Sequence, residues 1–192
     1  MSARAPLASP GSGEGLVFQD SLPVSWAPGP LPDGLELARL NAANMQLLGA
    51  EASLNEVRIH DALKDESAAL VQELQRLEFK MNVLLRLTAQ LAVQHQALPP
   101  RQRLRLSASG VEWESTEAPA VGTTGLVHLY VNAALPEPLM LPCVVAGERS
   151  GAAARIAELR FAGVSEVVGE LIEKLIFRHH RRLIAVHKLS AI

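Results

Sequence analysis

Six leucines recur at intervals of seven residues, from Leu63 to Leu98, in a stretch that contains neither proline nor glycine. A 3.5-residue apolar repeat of this length buries poorly against one globular core and well against another helix with the same repeat. The spacing predicts that the chain assembles with copies of itself; the alternative is a long helix packed within one chain. The predicted interface consists of Leu63, Leu70, Leu74, Leu77, Met81, Leu84 and Leu91.

The apolar stripe along this segment is wider than a two-stranded coiled coil requires. Val71 and Leu85 flank the seam on one side, and Leu87 lies on the other. A parallel dimer would also place Glu73 opposite Glu78 of the second chain, where like charges repel. We therefore predict more than two strands and favour a tetramer, unless Leu85 and Leu87 pack on the chain's own second domain.

The composition narrows the class of protein. With 192 residues the chain can hold one domain with an appendage or two small domains. A formal net charge of −2 gives no overall attraction to nucleic acid or anionic lipid. The single cysteine, Cys143, excludes an intrachain disulfide and a multi-cysteine zinc site, and it fits a reducing compartment.

Residues 1–15 lack the apolar run of a secretory signal. Residues 118–136 are too rich in glycine and proline for a membrane span. We therefore expect a cytoplasmic protein.

Before the leucine repeat, the chain divides into a leader and the start of a helical stalk. Residues 1–33 contain six prolines and are predicted as a Pro/Gly-rich leader, whose apolar patch 16–26 can dock onto the folded part. Residues 34–98 are predicted as a helical oligomerisation stalk.

Two helices are predicted within the stalk, near 34–48 and 53–97. Asp33 with Glu36, and Ser53 with Glu56, have the spacing of capping boxes. Gly49 lies between the two signals, and the leucine spacing changes phase there. These features favour two helices over one kinked helix.

After Pro99-Pro100 the apolar period changes from about 3.5 residues to about 2. Residues 104–113, 125–132, 138–146 and 154–161 read as strands, and the closely spaced turn residues between them are typical of a small antiparallel barrel or sandwich. Ser165 is the predicted cap of a final amphipathic helix. Residues 99–192 are therefore predicted as a second domain.

The order of these segments resembles the PilZ domain, a bacterial module best known for binding cyclic di-GMP. Leu104-Arg-Leu-Ser107-Ala-Ser-Gly110 is similar to the family's Asp/Asn-x-Ser-x-x-Gly turn, and Phe161-Ala-Gly-Val-Ser-Glu166 follows in the family's order. The resemblance covers about residues 101–188. It implies an α+β fold, with a small antiparallel six-stranded barrel and a C-terminal helix, here preceded by a long coiled-coil helix.

The departures from the family's pattern concern its ligand. The resemblance implies an Arg-x-x-x-Arg segment well upstream of the turn. In this chain Arg101 and Arg105 have the Arg-x-x-x-Arg spacing, but they overlap the turn motif instead of preceding it at a distance. Arg105 also stands at the acidic or amide position, and a guanidinium cannot accept hydrogen bonds from guanine N–H groups. We therefore expect the ligand grip to be absent. The remaining nucleotide candidates are Arg101, Arg103, Arg105, Ser107 and Gly110, although an exposed strand edge with alternating charge is the favoured explanation of the arginines.

Other polar clusters do not predict a site. The basic run Arg178–Arg182 complements the dipole at a helix C-terminus, with a phosphate, an acidic partner or a membrane surface as the alternative. His179 and His180 face different sides of that helix, which disfavours a metal site. We expect Cys143 to be a buried thiol, and we find no catalytic set and no cofactor motif.

Together these patterns predict a non-enzymatic PilZ-like signalling adaptor that self-assembles through its heptad repeat, does not itself bind cyclic di-GMP and acts on a protein partner. The alternatives are a cyclic di-GMP receptor with an altered site and a structural oligomeric scaffold.

Overall fold

A computed structural model of the chain describes residues 17–55, 98–115, 118–132, 135, 137–151 and 155–189, together with individual positions between 72 and 88. The predicted interface residues Leu63, Leu70 and Leu91 lie outside the described residues.

Six antiparallel strands of the described chain close a barrel in the order β1-β2-β3-β6-β5-β4. The strands are β1 (Phe18–Pro28), β2 (Arg101–Leu106), β3 (Gly110–Ser115), β4 (Thr124–Leu129), β5 (Leu139–Ser150) and β6 (Arg155–Phe161). Helix α1 (Gly34–Asn55) follows β1, and helix α2 (Glu166–Leu189) follows β6. The α+β fold class, with a six-stranded barrel and a C-terminal helix, is confirmed.

Strand β1 lies where the sequence predicted a leader, and the leader assignment is wrong for these residues. Phe18–Pro23 pair with β2, whereas Val24–Pro28 pair with β4. Pro23 stands where the pairing changes partner, and its carbonyl accepts the N–H of Tyr130 at 3.1 Å. A proline is tolerated at such a point because it has no N–H to donate to a ladder. The barrel thus takes one strand from ahead of the helices, and the predicted barrel domain of 99–192 is incomplete.

The barrel interior is aliphatic and is covered at one end by α2. Alternate residues of each strand are buried, among them Leu104, Leu106, Val127, Leu129, Leu139 and Leu141. Helix α2 begins as predicted, because the Ser165 hydroxyl accepts the N–H of Val168 at 3.3 Å. Its apolar face, which includes Ile172 and Ile176, belongs to the same core.

Helix α1 begins at the predicted cap, since the Asp33 carboxylate accepts the N–H of Glu36 at 3.1 Å. The predicted end near residue 48 is wrong, because the helix continues through Gly49 to Asn55. The Ser53 hydroxyl donates back to the Gly49 carbonyl at 3.0 Å, so it is not a cap of a second helix. Burial of Leu48 against the core outweighs the ~1 kcal/mol that an interior glycine costs a helix.

Two asparagines fix α1 against the barrel. Asn44 is buried, donates to the carbonyl of Met140 at 2.8 Å and accepts its N–H at 3.0 Å. Asn41 donates to the Gly163 carbonyl at 3.1 Å and accepts the N–H of Ser165 at 2.9 Å. The helix is therefore held to β5 and to the turn between β6 and α2.

The close approach of β3 to β6 at Gly110 predicts a large cost for adding one methyl group. A Cβ at Gly110 would lie 2.2 Å from the backbone oxygen of Leu159, so the strands would have to separate. We expect Gly110→Ala to lower the free energy of unfolding by about 1–3 kcal/mol. Gly169→Ala is the control, because its Cβ meets nothing within 4 Å in α2 and should stabilise by up to ~1 kcal/mol. Urea unfolding measures both, and equal midpoints for the two variants would contradict the close contact.

Candidate functional site

The predicted nucleotide candidates on β2 lie on the outer face of the barrel. Leu104 and Leu106 point into the core, so Arg103 and Arg105, which alternate with them, point outward. The strand therefore presents a row of guanidinium groups on its outer face, in line with the alternation of arginine and leucine in its sequence.

Carboxylates on neighbouring strands neutralise most of this row. Arg103 lies 3.5 Å from a carboxylate oxygen of Glu114, and Arg105 lies 3.6 Å from one of Glu112. Glu112 also accepts a hydrogen bond from Arg149 at 2.7 Å. Ion pairs across β2, β3 and β5 neutralise these charges, although Nε and Nη1 of Arg105 are buried without a hydrogen-bond partner. The row therefore does not form a free cationic patch for phosphates.

The turn residues of the candidate set have structural partners. The Ser107 hydroxyl donates to the Gly110 carbonyl at 3.1 Å, and the Ser107 N–H donates to the same oxygen at 2.9 Å. Gly110 is required by its contact with the β6 backbone. Both residues therefore shape the β2–β3 turn.

Arg101 behaves differently from the other two arginines. Its guanidinium donates to the Ser21 carbonyl, and it lies beside a cavity of about 350 Å³ between β1, α2 and the chain after β4. Both apolar and charged side chains line the cavity. It is lined by Phe18, Asp20, Leu22, Pro23, Glu51, Leu98, Arg101, Tyr130, Val131, Asn132, Leu135, Leu175, Arg178, His179 and Arg182.

An ion pair and a ring contact hold the wall of this cavity. Arg178 of α2 binds Glu51 of α1, whose side chain is only 5% exposed. The next residue, His179, packs on Phe18 with ring centroids 4.0 Å apart. The sequence pattern did not predict this pairing of the helices. The available signal was Glu51, a carboxylate on the apolar face that carries Leu47 and Leu48.

The described part of the helical segment is strongly apolar at its surface. Its described positions between 72 and 88 are helical. The predicted interface residues Leu77, Met81 and Leu84 are 52%, 59% and 62% exposed in the single chain, while Leu74 is half-buried. The predicted seam is therefore uncovered by the described residues of its own chain.

The described residues do not support metal or thiol chemistry. They contain no group of histidine, cysteine and acidic residues arranged to hold a metal ion. Cys143 is fully buried, its thiol donates to the Leu141 carbonyl at 3.3 Å, and burial raises its pKa to about 12. The thiol is therefore protonated and unreactive at neutral pH.

The barrel, its covering helix and the Ser107–Gly110 turn define a protein of the PilZ class. The family model that matches, over residues 48–188, is that of the atypical PilZ domain, described as a cyclic di-GMP receptor. The chain belongs to the atypical PilZ family.

A solved structure supports this membership. It is a protein from Xanthomonas campestris, described as a tetrameric PilZ domain self-assembled via an unusual helical bundle. The two are 28% identical, the match covers 91% of this chain and 93% of that one, and the TM-score is 0.72. No curated protein matches the chain. Within the described residues, no helix combines the length and apolar character needed to cross a membrane.

The charge network on the barrel predicts that Glu112 matters for stability. Glu112→Gln leaves Arg105, 14% exposed, without its carboxylate partner and weakens the contact of Arg149. We expect the free energy of unfolding to fall by about 1–3 kcal/mol. The control is Glu148→Gln, whose partner Arg155 is 65% exposed, with an expected effect below ~1 kcal/mol. Urea unfolding at one protein concentration measures both, and a cost for Glu112→Gln as small as the control's would contradict the network.

Proposed function

We propose that this PilZ protein is a non-enzymatic signalling adaptor that forms a homotetramer through its leucine repeat, from Leu63 to Leu98, and presents its barrels to a protein partner. The observation that carries the proposal is the exposed apolar seam at Leu77, Met81 and Leu84. An uncovered stripe of this kind at helical spacing is stabilised when other copies cover it.

The similar Xanthomonas campestris protein supports the same arrangement. It is described as a tetramer built through a helical bundle, and it matches nearly the full length of this chain. The predicted stripe, wider than a two-stranded seam, fits four strands better than two.

A tetramer of this kind would act by presenting four barrels together. Multivalent display raises the apparent affinity for a clustered partner without any new contact. We place the protein in the cytoplasm because its single cysteine cannot form an intrachain disulfide, which fits a reducing compartment.

The ion pairs on β2 are the reason to propose an adaptor instead of a nucleotide receptor. Arg103 and Arg105 already contact Glu114 and Glu112, so a dianionic ligand would have to displace both carboxylates. The arginine at position 105 also lacks the acceptor that guanine requires.

Charged substitutions in the seam test the assembly. Leu77→Glu combined with Leu84→Glu would bury like charges between chains, so the mass measured by light scattering should fall to that of one chain or two. The matched control is Gln72→Glu with Phe79→Glu, also seven residues apart and exposed but at the outer position of the heptad. The control should keep the wild-type mass. A seam variant that keeps both wild-type mass and helicity would refute the interface.

A second candidate function is a cyclic di-GMP receptor with an altered site. The description of the matching family favours it, and so does the cavity beside Arg101, which Arg178 and Arg182 also line. A volume of about 350 Å³ lies at the small end of ligand sites.

Calorimetric titration with cyclic di-GMP separates the two functions. The adaptor proposal predicts no binding in the micromolar range, and a Kd of about 10 μM or tighter would overturn it. Loss of such binding in Arg105→Gln would place the nucleotide on β2, whereas loss in Arg182→Gln would place it in the cavity. Arg181→Gln is the control, because Arg181 lies over the ring of Phe177 and does not line the cavity.

A further inference from the structure

The cavity of about 350 Å³ lies where the barrel meets the inserted helices. Phe18 of β1 and Leu175 of α2 line it from the side of the barrel. Glu51 of α1 and Leu98, the last leucine of the repeat, line it from the helical part of the chain. A ligand in this cavity would therefore contact the barrel, its covering helix, α1 and the end of the leucine repeat.

Apolar side chains make up about half of the lining. They are Phe18, Leu22, Pro23, Leu98, Val131, Leu135 and Leu175. An apolar group that displaces water from such a wall gains free energy in proportion to the area that it covers. The volume lies at the small end of the range for ligand sites, so it suits an apolar body of about one ring or a short chain.

The charges of the lining leave an excess of positive charge. Arg178 is paired with Glu51. Arg101 and Arg182 are exposed, and neither has a carboxylate partner among the residues that the structure describes. The remaining carboxylate of the lining is that of Asp20, which is also exposed. Two unpaired guanidinium groups against one carboxylate favour an anion as the ligand.

The wall also holds more hydrogen-bond donors than its neighbours satisfy. Nε of Arg178 and Nε2 of His179 are buried without a hydrogen-bond partner. The hydroxyl of Tyr130 makes no hydrogen bond to any residue in the described ranges. Guanidinium groups donate hydrogen bonds and cannot accept them. The group that this wall lacks is therefore an acceptor, such as a carboxylate or phosphate oxygen.

We infer that the cavity binds a small organic anion, a carboxylate or phosphate ester whose apolar body is about the size of one ring. Arg101 and Arg182 would contact the anionic group, and the apolar side chains would cover the body. This inference goes beyond the proposed function, which assigns the protein no small ligand. It also differs from the second candidate function, because a dinucleotide is a much larger ligand than a single ring.

Phenylacetate and phenylacetamide supply a matched pair of probes. They share one ring and nearly one shape, and only phenylacetate is charged at neutral pH. We expect phenylacetate, and phenyl phosphate as a second anion, to bind the full chain with a Kd of about 1 mM or tighter. Phenylacetamide should bind at least about fivefold more weakly, because it forms no charge-assisted hydrogen bond. Acetate should also bind more weakly, because it lacks the ring. Saturation-transfer NMR titrations measure each Kd.

Substitutions of charged residues locate the bound anion. Arg182→Gln removes a charge of the cavity at an exposed position, and the Kd of phenylacetate should rise about fivefold or more. Arg181→Gln is the control, because Arg181 is also exposed but lies over the ring of Phe177 and does not line the cavity. Its Kd should change less than about twofold. Asp20→Asn should lower the Kd by about twofold, because it removes a carboxylate that repels the anion.

Three results would each overturn the inference. They are no binding of either aromatic anion at about 10 mM, equal Kd values for phenylacetate and phenylacetamide, and equal effects of Arg182→Gln and Arg181→Gln. Displacement of phenylacetate by micromolar cyclic di-GMP would assign the cavity to that dinucleotide and overturn the inference as well. The cavity lies within one chain, so a monomeric protein that binds phenylacetate as expected would refute the proposed assembly and support this site.

Discussion

The rest of the structure depends on the change of pairing partner along β1. Its first half pairs with β2 and its second half with β4, so that one strand joins two edges that would otherwise stay open. Residues 29–100 consequently connect two neighbouring strands of the barrel. The helical part of the chain is therefore an insertion between β1 and β2, with both of its ends attached to the barrel.

This insertion begins with helix α1, which packs on both the barrel and α2. The inner side of α1 is held by Asn44 against β5 and by Glu51 against Arg178 of α2. Those contacts fix the rotation of the helix about its axis, and the rotation sets which residues face outward.

Periodicity was sufficient to predict the parts of the fold that follow simple repeats. Alternation located β2 to β6, and the Ser165 cap located α2, because burial on one side leaves a clear period in the sequence. Strand β1 could not be recognised, since Pro23 and Pro28 interrupt the pattern and only the closed barrel shows that the ladder needs no N–H at Pro23. The predicted helix break at Gly49 is wrong, because burial of the neighbouring residues in the core outweighs the low helix propensity of glycine. The arginines of β2 were found by their spacing, but their carboxylate partners come from strands whose register no local pattern fixes.

We propose that copies of the chain share the apolar seam of the leucine repeat, and that the assembly so formed carries the barrels. Sedimentation equilibrium of the unmodified chain over a wide range of concentrations tests it most directly. We predict a single species of four times the 20.6 kDa mass of one chain that dissociates only on strong dilution. A mass of 20.6 kDa at every concentration would contradict the claim.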